Sequence, residues 1–147
     1  MNNSWRHLPP PARPIAAATA GAVAAVREGQ EPDGDLAAQD PAQTGLILGT
    51  VVRLLLEDGH PDGLTADDVR TALSSCVRSW PEADPQVVLW LLAGALGVLE
   101  EDGAPAPKPD VLARHAVALI TDLLAGRPVE PWLTAALADI ERSQLHD

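Results

Sequence analysis

The chain has 147 residues, a formal net charge of −11, 46% hydrophobic and 21% charged residues, and neither Phe nor Tyr. That length fits one domain with its own core, which must be built from Leu, Val, Ala and the four Trp. The acidic balance argues against direct binding to nucleic-acid phosphates or anionic membranes, and suits a basic protein partner, a cationic ligand or plain solubility.

Residues 1–14 hold Pro9, Pro10, Pro11 and Pro14 and are expected to form an extended arm, ahead of a single helical domain over 15–147. Within the arm, Trp5 and Arg6 are candidate interface anchors, both types being common at binding hot spots. The run Ile15–Val26 follows Arg6 and Arg13 and has the small-residue character of a secretion signal, but it lacks Leu and Phe. Ile15, Ala22, Val23 and Val26 share one helical face, so a first helix is expected over Ile15–Glu28, stopped by Gly29.

A loop rich in Gly, Pro, Asp and Gln follows. Asp40-Pro41 then opens a helix, because Asp can accept from the unpaired amides and Pro lacks an N–H where none is needed. This helix runs to Gly59. Thr65 with Asp68 forms a reciprocal cap for the next, whose apolar stripe is Val69, Leu73, Cys76, Val77 and Trp80. Asp84-Pro85 opens a third capped helix, filled by Val87–Leu99 and closed by Gly103. Asp110 is expected to cap a helix with Leu112, Ala116, Leu119, Ile120 and Leu123 on one face, ending at Gly126; Glu130-Pro131 opens the last.

Asp40, Pro41, Leu48 and Leu55 match Asp84, Pro85, Leu92 and Leu99 at a constant offset, and Glu57-Asp58-Gly59 matches Glu101-Asp102-Gly103. These correspondences predict two repeated helix–loop–helix units, 40–80 and 84–126. No stretch shows the period-two alternation of a strand. The expected fold is therefore all-α, a compact bundle of about six helices.

Catalytic signatures are absent: there is no Gly-x-Ser-x-Gly and no phosphate-binding loop followed by Lys-Ser/Thr. Asp58, His60 and Asp62, with Gly63, imitate the start of a calcium loop, but Val69 stands where the closing Glu belongs, so no metal or other cofactor is expected. His115 flanks an apolar stripe and reads as a boundary residue. Cys76 lies inside one and reads as a structural thiol; as the lone cysteine it forms no intramolecular disulfide, in keeping with a cytoplasmic location.

Two features point to binding. Val87–Leu99 is apolar or Gly throughout, which places it at the bundle centre or in an interface. Trp90, Gly94 and Gly97 are its candidate interface residues, the glycines permitting close helix approach in a homodimer. Glu57 and Asp58, with Glu100, Glu101 and Asp102, sit at helix C-termini against the macrodipole. They are a candidate acidic surface for basic side chains of a partner, unless Arg53, Arg70 or Arg114 pairs with them internally.

The expected function is a non-catalytic protein–protein interaction or regulatory module that self-associates. One alternative is an acidic neutralising partner of a basic protein: an immunity protein, an antitoxin or a nucleic-acid mimic. Another is a sensor of small apolar ligands, with a pocket walled by Leu, Val and Trp90.

Overall fold

A computed structural model describes residues 12–30, 36, 38–96 and 107–145. Trp5, Arg6, Gly97, Glu100, Glu101 and Asp102 lie outside the described residues. The described residues form six helices and no strand: α1 (Ala12–Arg27), α2 (Pro41–Gly59), α3 (Ala66–Ser79), α4 (Pro85–Leu96), α5 (Pro109–Leu124) and α6 (Glu130–Leu145).

Local chemistry sets most of these boundaries. Asp40 accepts from the Gln43 amide at 2.9 Å, and the Asp84 carboxylate accepts from the Gln86 amide at 2.9 Å. Thr65 and Asp68 form the full reciprocal cap: the Asp68 amide donates to Thr65 Oγ1 at 3.2 Å and the Thr65 amide to Asp68 Oδ2 at 2.9 Å. Gly29, at φ +74°, ends α1 in the left-handed conformation, with the Gln30 amide donating to the Ala25 carbonyl at 2.9 Å.

Two boundaries depart from expectation. Residues 12–14, assigned to the extended arm, are helical. Pro14 is tolerated there because the first-turn amides of a helix have no intrahelical partner, so the missing N–H costs no bond. Asp110 does not cap α5; it lies in the first turn, and Lys108 is the cap residue without a side-chain bond. Pro109 determines this start, its fixed φ being pre-set for the first helical position.

The centre of the bundle is the pair α2 and α5, not α4. Helix α2 packs on α4, α5 and α6, and α5 packs on α1, α2, α3 and α4. Ile47, Leu48, Val51, Val52 and Leu56 of α2 meet Leu119, Ile120 and Leu124 of α5 in one buried core. Burying side chains of this size contributes about 1.5–3 kcal/mol each. In α4 only Val87, Val88 and Leu92 are buried, while Leu89 is 41% exposed. A uniformly apolar sequence thus occupies a position with only one buried face.

In the two expected repeat units, α2 and α4 open alike at Asp40-Pro41 and Asp84-Pro85, whereas α3 opens at the Thr65 cap and α5 at Pro109. α4 packs on α5, whereas α2 and α3 are not such a pair.

Candidate functional site

Three helix faces surround a half-open cavity of about 840 Å³. From α2 come Thr44, Gly45, Leu48 and Gly49; from α4, Trp90, Leu91, Gly94 and Ala95; from α5, Leu112, Ala113 and Ala116. Within each set the spacing of three and four residues places the side chains on one helix face, so the helices direct continuous stripes at a common space. Leu36 and Gln39 border the cavity from the connection before α2.

Small residues explain why the space stays open. Helix packing normally sets a large side chain opposite a small one until interior density is reached. Here Gly45 and Gly49 of α2, Gly94 and Ala95 of α4, and Ala113 and Ala116 of α5 all face the same volume. Apart from its own helix, a Cβ built on Gly45, Gly49 or Gly94 would meet no heavy atom within 4 Å. Among the described residues, no neighbouring side chain therefore requires these glycines. Each costs about 1 kcal/mol of helix propensity relative to Ala. Among the described residues, no other helix of the chain approaches Gly94 closely.

Polar groups at the cavity are few. Thr44 is 4% exposed, and its hydroxyl is the one buried side-chain polar atom without a hydrogen-bond partner among the described residues. Arg53 reaches the lining but is held on both sides, with Nη1 3.2 Å from Glu57 Oε1 and Nη2 2.6 Å from Asp139 Oδ2. Asp110 stands at the cavity in the first turn of α5 and is exposed. Leu46 also lines the cavity and is 46% exposed.

Of the expected interface residues, Trp90 and Gly94 both line this cavity. Gly45, Gly49 and Thr44, on α2, were not anticipated. The Gly45-x-x-x-Gly49 spacing was legible, but nothing local distinguishes a small-residue face toward a cavity from one toward another helix.

The described acidic candidates lie elsewhere and are paired. Glu57 faces Arg53, and Asp58 Oδ2 is 3.1 Å from Arg127 Nη1. Arg127 also donates to the Leu124 carbonyl through Nε at 2.8 Å and to the Leu123 carbonyl through Nη2 at 3.1 Å, capping the end of α5. Arg70 pairs with Asp67 at 3.0 Å, and Arg114 lies over the Trp80 ring, 5.7 Å from its centroid.

The calcium-like triplet does not converge. His60 Nδ1 is 3.1 Å from the Leu56 carbonyl and its Nε2 is 3.5 Å from Asp68. Among the described residues no three His, Cys, Asp or Glu side chains are grouped to hold a metal ion.

His115 and Cys76 are structural in their contacts. His115 is buried rather than at a boundary. Its Nε2 accepts from the Asp84 amide at 3.0 Å, which makes Nδ1 the donor to the Val111 carbonyl at 2.8 Å. The ring lies 4.7 Å from Trp80, so one imidazole ties the α3–α4 turn to α5. Cys76 is buried, and its thiol is pushed up to about 11 by burial, with the Asp122 carboxylate adding to the effect.

No helix among the described residues is long and apolar enough to cross a membrane. No protein-family model, no curated protein and no solved structure matches the chain.

Proposed function

We propose that the protein is a non-catalytic binding module whose α2–α4–α5 cavity receives a small, largely apolar molecule. The carrying observation is that Gly45, Gly49 and Gly94 border one cavity and that no described side chain packs against them. The cavity volume of about 840 Å³ lies in the range of small-molecule sites, roughly 300–1,000 Å³. Asp110 supplies the sparse polarity that fixes orientation in such sites.

The test is calorimetric titration of the full chain with 2-naphthylmethanol, a neutral aromatic probe, beside the melting temperature. Binding should raise the melting temperature, by about 2.7 kcal/mol of added stability at a hundredfold excess over Kd. Gly49→Leu, which places a side chain in the cavity, should abolish binding while leaving a folded protein. Absence of binding to the wild-type chain, or binding indifferent to Gly49→Leu, would sink the reading.

Self-association has one specific support, the 41% exposure of Leu89 on α4, outside the cavity lining. It predicts a dimer mass by light scattering that Leu89→Arg converts to a monomer.

A further inference from the structure

We infer that the molecule this cavity selects is an aromatic or apolar body carrying a single positive charge. The inference rests on the cavity being a ligand site and adds the sign of the charge it prefers.

Among the described residues, two charged side chains line the cavity, Arg53 and Asp110. Arg53 is already divided between Glu57, at 3.2 Å, and Asp139, at 2.6 Å. An anionic ligand could use it only by displacing one of those carboxylates. Asp110 is different: no carboxylate–cation pair involves it among the described residues. Lys108, two positions earlier, is the cap residue of α5 but does not line the cavity. An incoming cation therefore meets an available carboxylate, and an incoming anion meets an occupied guanidinium.

The rest of the surroundings points the same way. Trp90 is the aromatic residue among the described lining residues, and an indole face attracts a cation through its quadrupole. The whole chain, at −11, adds a field that concentrates cations and repels anions at low ionic strength. A molecule with an apolar ring system would bury that ring against Leu48, Leu91 and Leu112 and leave its charged group at the Asp110 side.

The experiment uses three probes sharing one naphthalene ring: 2-naphthylmethylammonium, 2-naphthylmethanol and 2-naphthylacetate. Each is titrated into the full chain by calorimetry at neutral pH, at low and at high salt. The ammonium should bind roughly threefold to fivefold tighter than the alcohol, as befits one exposed charge pair, and the acetate should bind weakest. High salt should compress this order. Asp110→Asn should erase the preference for the ammonium over the alcohol, and Asp110→Glu should keep it. Equal binding of ammonium and alcohol, both lost in Gly49→Leu, would overturn the charge inference and leave the cavity reading intact. The acetate binding tightest would do the same. Failure of all three probes to bind a normally melting wild-type chain would overturn both.

Discussion

Thr44 differs from four other helical threonines of the chain. Thr19, Thr50 and Thr121 each donate their hydroxyl to the carbonyl four residues earlier at 2.7 Å, and Thr71 does so at 2.9 Å. Thr44 makes no such bond and is shut off from solvent. Thr44→Val keeps the side-chain shape and removes the unpaired hydroxyl, so it should stabilise the protein without ligand by about 1 kcal/mol in denaturant unfolding. A loss of stability would show that the hydroxyl has a partner. Asp68 poses a second test at this scale. The hydrogen bond from the Thr65 amide holds its carboxyl below the ordinary value of 3.8, burial opposes that shift, and the Thr65 hydroxyl and the charge of His60 reinforce it. A depressed carboxyl stabilises the fold above its unfolded value and loses that contribution as pH falls through the folded one. The acid limb of Asp68→Asn, followed by helical circular dichroism, should therefore be shallower below pH 3.8 than that of the parent. Only one of these two residues carried a local signal in the sequence. The Thr65–Asp68 spacing announces its cap, whereas nothing around Thr44 announces an unpartnered hydroxyl, because that depends on which helices stand opposite.

Among the helices, α2 and α4 exchange the roles their sequences suggest. α4 has the more uniformly apolar sequence, yet the longer α2 has eight buried residues against three in α4. Glycine bears on this scale as well. Gly45 and Gly49 lie in the interior of α2, and a methyl group at either meets nothing within 4 Å. Gly49→Ala should raise stability by about 1 kcal/mol through helix propensity alone, and the same methyl group should weaken probe binding by narrowing the cavity. The two effects having opposite signs is the signature of a site kept open at the expense of its helix. A gain in stability with unchanged probe affinity would place the ligand elsewhere. Helix openings were legible because capping chemistry is local: Asp40, Thr65 and Asp84 all act as read. The start of α5 was misread because Asp110 and Pro109 are both good openers, and only the backbone decides between two adjacent candidates.

At the level of the whole molecule, Arg127 joins elements that are far apart in sequence. It caps α5, reaches Asp58 at the end of α2, and lies 5.3 Å from the Trp132 ring centroid of α6. Its backbone carbonyl accepts from the Arg27 guanidinium at the end of α1. Arg127→Ala should cost about 1 kcal/mol in equilibrium unfolding, since the residue is exposed and its ion pair with Asp58 is solvated. A Tm unchanged within error would mean these links are made but contribute nothing. This arrangement also bears on the acidic candidates. Glu57 and Asp58 meet cations of their own chain, the internal outcome their sequence left open.

The sequence by itself determined that the chain is helical, where most helices begin, and that its net charge is negative, because caps, periodicity and charge are read from the residues themselves. It also contained Trp90 and Gly94 as residues of interest, since an aromatic and a helix-interior glycine stand out against their neighbours. Only the tertiary structure decided that α2 and α5 are central, that α4 keeps an outward apolar face, and that small residues of three helices converge on one space. Those outcomes depend on which faces oppose one another across long sequence separations, and a helix's own residues carry no record of the helix packed against it.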